Sequence, residues 1–161
     1  MRNPYRASDC LRGVLIYSTG DTVAALLLSQ FSLPRLAGMM LVGGSLYALE
    51  IPAWFRYIDR RTSGMGGLGG ALARTGLALL YFNPLWIARH LLFIQVFSGN
   101  WSGIGWGLVT KGLLSFSVNV PFALAANYLI QNRMPLKWRF LASAVFSSLM
   151  AIYYAFSQVI F

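Results

Sequence analysis

Of the ionisable side chains inside or at the edge of the long apolar stretches of this 161-residue chain, six suggest a charge network: Asp21, Glu50, Arg74, Arg89, His90 and Lys111. A charge at the centre of a hydrocarbon layer costs about 2.5–3.5 kcal/mol even on a lenient insertion scale, so each must face protein or water and find a partner. The chemistry open to them is electrostatic: ion pairs that pin helix register, or the lining of a solvated path. Counting depth along the stretches places Asp21 near mid-membrane and predicts Arg89 or Lys111 as its partner, with Glu50 nearer the charged side and Arg74 within its reach. His90 reads as a packing residue ahead of a proton relay. One His, one Cys and four scattered acids supply no nucleophile with its base, no paired carboxylates and no metal-ligand set, so the chain reads as non-enzymatic. No cofactor is indicated. His90 has no second axial ligand for a haem, although single ligation of a chlorophyll-type pigment stays open.

The elements that position these groups are five apolar runs, roughly 11–31, 36–58, 71–98, 104–130 and 138–161. Each approaches or exceeds the ~20 residues that a helix needs to cross a hydrocarbon core of ~30 Å. The fold class expected is therefore an all-α integral membrane protein, a single-domain bundle of four to five transmembrane helices. Asn83-Pro84 predicts a kink in the third run, because proline removes a backbone donor and disfavours helix at the residue before it. Lys111, Ser115, Ser117 and Asn119 followed by Pro121 predict a break, or an interfacial tilt, in the fourth. The gaps alternate in charge. Arg2, Arg6 and Arg12 flank the start, Arg56, Arg60, Arg61 and Arg74 the second gap, and Arg133, Lys137 and Arg139 the fourth; the remaining two gaps hold Arg35 and nothing. By the positive-inside rule the N-terminus and those two basic gaps share one side, as in a bacterial or mitochondrial inner membrane.

Composition agrees: 57% hydrophobic and only 11% charged residues cannot clothe a soluble surface. The net charge of +9 sits at helix ends and not along a soluble face. That favours a bilayer with anionic headgroups as partner over nucleic acid, with other membrane subunits as further candidates. Gly64-x-Gly66-x-x-Gly69 has dinucleotide-fingerprint spacing, but no strand precedes it, and 62–70 reads as a flexible glycine-rich loop. In the second run Gly38, Gly43, Gly44 and Ser45 suit close helix contact in lipid. The five tryptophans fall mostly near run ends, as interface anchors do.

Several of these positions form a pattern. Trp54-Phe55-Arg56-Tyr57-Ile58-Asp59-Arg60, with Arg35 upstream, resembles the Trp-x4-Asp-Arg signature of the Mpv-seventeen and PMP-twenty-two family of peroxisomal and mitochondrial membrane proteins. Gly20-Asp21 is similar to that family's first-helix Gly-Asp, and Phe82-Asn83-Pro84 to its Phe-x-Pro. Asn127-Tyr128 with Pro135-x-x-x-Arg139 resembles its Asn-Phe and Pro-x-x-x-Arg. Ala25, Ala78, Leu79 and Ile152 stand where the family carries polar or tryptophan residues, and three extra residues separate Asn127 from Pro135. The resemblance implies a small helical membrane protein with channel-like passage of small solutes. The alternative function is that of a structural or accessory subunit, or an assembly factor, of a larger membrane complex.

Overall fold

The structure, a computed structural model, describes residues 6–160, with side chains to Tyr153. Its regular elements are helical throughout the described residues. Helix α1 (Ala7–Leu27) starts four residues earlier than the apolar run, because Ala7, Ser8 and Asp9 make an adequate polar first turn. Ser29, in the left-handed region at φ 56°, turns the chain over. Helix α2 (Leu33–Val42) then opens with Ser32, whose Oγ accepts the Arg35 backbone N–H at 3.3 Å, and with Pro34 in the first turn. One turn of π-helix (Gly43–Tyr47) joins α2 to α3 (Ala48–Arg61). Pro52 in α3 has no backbone N–H to offer the Ala48 carbonyl, so the widened turn lies just ahead of a gap in the normal ladder.

The third apolar run is two helices, α4 (Gly67–Tyr81) and α5 (Pro84–Phe97), separated at Phe82 and Asn83. Asn83 Oδ1 accepts the Leu85 and Trp86 N–H groups at 2.8 and 3.1 Å, and Pro84 takes the first helical position, which requires no donor. Because α4 begins at Gly67, the flexible segment expected over 62–70 ends at Gly66; the second half of that glycine-rich stretch is helical. The break expected near Pro121 is also absent. Helix α6 runs continuously from Gly107 to Arg133 through that residue, its neighbouring turns supported by contacts with α4, α5 and α7. Helix α7 spans Leu136–Ile160.

Among the described residues four helical stretches are long and apolar enough to cross a membrane: Ala7–Leu27, Leu33–Arg61, Gly67–Phe97 and Gly107–Arg133. Helix α1 packs most extensively on α7, and also on α2 and the π-turn; α2 meets α5, α3 meets α4, both α4 and α5 meet α6, and α6 meets α7. The neighbours close into a ring, with α3 crossing to touch α7 as well. Two glycines of α1 allow close approaches. A Cβ on Gly13 would run into the Gly43 carbonyl of the π-turn, and one on Gly20 would collide with Ser148, whose Oγ donates to the Ile16 carbonyl at 2.7 Å. Tyr47, fully buried, fills the middle of the ring against Tyr17 and Trp86, with ring centroids at 4.8 and 5.3 Å.

Candidate functional site: a polar seam between α6 and α7

Helix α6 buries Ser115, Asn119, Ala123, Asn127 and Gln131, each four residues from the next. Residues four apart lie above one another on a helix, so this stripe runs for ~24 Å along one face at ~1.5 Å per residue. Helix α7 carries Arg139, Ser143 and Ser147 at the same spacing, and the first two are buried. The stripes meet: Arg139 donates to Gln131 Oε1 at 3.4 Å, and Asn119, Asn127, Ser143 and Ser147 together line one enclosed cavity. Tyr17, Trp86 and His90 share its wall with the apolar side chains of Phe82, Phe116 and Met150, among others. The space open to water centres is about 40 Å³, room for about three ordered waters at ~10–15 Å³ each. Two wall or end groups, Trp86 Nε1 and Gln131 Nε2, are buried without a hydrogen-bond partner among the described residues.

Below the cavity the seam is closed by an ion pair that bridges α3 and α7. Arg139 donates through Nη1 to Asp59 Oδ1, while its Nε donates to the Met134 carbonyl at 3.0 Å. Above it, His90 Nδ1 lies 3.0 Å from the Tyr47 hydroxyl, and the imidazole stacks on Trp86 with planes 4° apart. Tyr47 thus lies behind the cavity wall, in contact with His90.

The remaining ionisable groups pair differently from the depth count. Asp21 is held by Arg35, not by Arg89 or Lys111. The guanidinium Nε and Nη2 donate to the two carboxylate oxygens at 2.8 and 2.7 Å, and both side chains are buried. Because α1 starts at Ala7 and ends at Leu27, Asp21 lies only six residues from its end, level with a long side chain entering from the start of α2. Glu50 pairs with Arg89 and not with Arg74. Two guanidinium–carboxylate bonds of 3.1 and 2.8 Å are joined by the Tyr81 hydroxyl at 2.8 Å. Arg74 instead donates to Asn132 Oδ1 at 2.7 Å, tying α4 to α6. The interruption at Phe82 and Asn83 resets the helical face, so spacing counted across it cannot say which basic residue meets Glu50. Lys111 is exposed one turn into α6 and lies outside these pairs.

Asp9 pairs with Arg12 at 3.4 Å. With this pair all four acids of the chain carry a basic partner, and among the described residues no other basic side chain forms an ion pair. Among the described residues no group of three His, Cys, Asp or Glu side chains lies close enough to hold a metal ion. Of the positions singled out in the sequence by their family pattern, Asp21 and Arg35 meet, as do Asp59 and Arg139. Gly20 is the α1–α7 contact, Trp54 Nε1 donates to the Leu77 carbonyl at 2.9 Å, Phe82 and Asn127 line the cavity, Pro84 starts α5, Pro135 precedes α7 and Arg60 is exposed. The Asp59–Arg139 contact and the two stripes were not foreseen, although the four-residue spacing of Asn, Ser and Gln was the signal for the stripes. Comparison of the chain with protein-family models, with curated proteins and with solved structures finds no match.

Proposed function

We propose that this protein is a non-enzymatic integral membrane protein whose helix ring holds a narrow polar path for small uncharged or weakly charged solutes, in a closed state. The observation that carries the reading is the facing pair of polar stripes on α6 and α7. Buried Ser, Asn and Gln cost free energy in a bundle that packs mainly through apolar contact, and their alignment across most of the bundle's length suits a wetted track better than isolated packing roles. The Arg139–Asp59 pair at one end and Tyr47 with His90 at the other serve as its two closures. The pairing of motif positions Asp21–Arg35 and Asp59–Arg139 supports kinship with the Mpv-seventeen and PMP-twenty-two family, whose channel-like members suggested the same class of function. The distribution of basic residues supports an orientation with the N-terminus, 62–66 and 134–135 on one side, the inner side of a bacterial or mitochondrial inner membrane.

Purified protein in liposomes tests the path: Asn119→Leu and Asn127→Leu should each lower the flux of a small polyol at least severalfold, and equal flux in both variants would defeat the reading. Insertion is tested separately by cysteine labelling in a Cys10→Ser background. Gly66→Cys and Gly105→Cys, both at positions where an added side chain meets nothing, should report opposite faces of the membrane.

A second reading, that of an accessory subunit of a larger complex, is favoured by one feature. The Glu50–Arg89 pair is about a third exposed, with side-chain exposures of 28% and 33%, and a charged pair partly open within a membrane gains from a protein neighbour that covers it. Stoichiometric co-purification that Glu50→Gln abolishes, from liposomes tight to polyols, would select this reading over the path.

A further inference from the structure

A second concave site opens where α1, α3 and α7 come together. It is a cleft of about 220 Å³ by the same measure as the cavity, bordered by Arg6 and Asp9 of the α1 start, Arg56 of α3 and Lys137 of α7. None of the three basic side chains has an acidic partner among the described residues, and each comes from a different part of the chain. The one acid, Asp9, is already engaged by Arg12, which in turn lies over the Trp138 ring at 5.3 Å. The cleft therefore keeps an excess of two positive charges after its own acid is counted. Both α1 and α7 begin beside it, and α1 has no side chain capping its first turn, so the positive ends of two helices add to the field. Beneath the basic rim the apolar part of the wall is Leu136, which is exposed, backed by the buried Pro52, Phe55 and Phe140.

We infer that this cleft binds the phosphodiester of one anionic phospholipid, with Arg6, Arg56 and Lys137 contacting the phosphate and the glycerol region lying on Leu136. The shared chemistry is a phosphate group. The apolar wall assigns it to a lipid and not to free phosphate, which would have to shed water there with nothing to gain. The inference rests on the membrane reading for its setting, because all three basic residues belong to the side that the positive-inside distribution places together at headgroup depth; it does not rest on the solute path.

The test is native mass spectrometry of the full chain in detergent, titrated with phosphatidylglycerol, with phosphatidylcholine and with inorganic phosphate. The expected result is one tightly held phosphatidylglycerol per chain, weak phosphatidylcholine adducts, and no displacement by phosphate. Arg6→Gln, Arg56→Gln and Lys137→Gln combined should weaken that adduct about a hundredfold, at roughly fivefold per charge. The matched control removes three exposed basic residues of the same side outside the cleft, Arg60→Gln, Arg61→Gln and Arg133→Gln, and should change it less than threefold. Equal loss in the control variant would reduce the effect to diffuse surface charge and overturn the site. Displacement by inorganic phosphate would overturn the lipid assignment. If the triple variant fails to give folded protein by circular dichroism, Lys137→Gln alone carries the comparison, with a fivefold loss expected and an unchanged affinity counting against the cleft. Extraction of the protein from membranes by alkaline carbonate would defeat the membrane reading while leaving the adduct measurement intact, so the two failures are distinguishable.

Discussion

Two ion pairs in one bundle are built to opposite specifications. Asp21–Arg35 joins residues 14 apart, both ends buried, every carboxylate oxygen matched to a guanidinium nitrogen. Glu50–Arg89 joins residues 39 apart, about a third exposed, with Tyr81 as a third member and Arg89 Nε left without a partner. The first is closed by its own geometry and holds the α1–α2 turn. The second is partly open, and its unpartnered Nε is turned inward and buried. The difference separates a pair whose loss strands a buried charge from one whose loss the environment can absorb.

The sharpest way to break this contrast is Arg35→Ala, which leaves the Asp21 carboxylate buried and alone. It should destabilise the protein by about 3–5 kcal/mol in a denaturant titration in detergent, with the Asp21→Ala, Arg35→Ala double variant falling well short of the sum of the two single losses. Additive losses would mean that the two residues act independently. Next in size is Gly20→Val, which forces α1 away from Ser148 immediately beside Asp21 and should cost about 1–3 kcal/mol through overpacking, read as a lowered melting midpoint. Glu50→Gln should cost about 1 kcal/mol or less in detergent, where water reaches the pair; a loss as large as that of Arg35→Ala would erase the distinction. Lys111→Ala, which removes an exposed charge, should fall within ~0.5 kcal/mol of wild type, and anything larger would restore Lys111 to the charge network from which its position removes it.

The apolar runs were legible because hydrophobic length is a property of each segment alone. All five appear as helices, and Pro84 interrupts the third where its lost donor predicts. Pairing was not legible, because it depends on rotation about each helix axis as well as on depth. Asp21 was assigned a mid-membrane partner from a run start four residues too late, and Glu50 was counted across the interruption at Asn83. Pro121 misled in another way. Proline beside Ser115, Ser117 and Asn119 reads as a broken helix by composition, whereas the spacing of four from Ser115 to Gln131 describes a buried stripe on a continuous one. The polar residues were visible; their common face emerges once α7 supplies the matching Arg139, Ser143 and Ser147. Asp59 could be recognised as a motif position but not paired, since its partner is 80 residues away.

That every acid already has its counter-charge bears on how the bundle responds to an electrical potential. In a polarised bilayer the field does work of about 2.3 kcal/mol on each unit charge moved across 100 mV. Paired opposite charges that move together transfer none. Lys111, the remaining cation inside a spanning stretch away from the basic loops, sits close to one end and can traverse little of the field. Opening of the proposed path by separation of α3 from α7 would part Asp59 from Arg139, but both lie within three residues of a helix end beside the basic loops, where little of the field falls, so it should carry little gating charge, and solute flux should vary with the solute gradient and not with voltage.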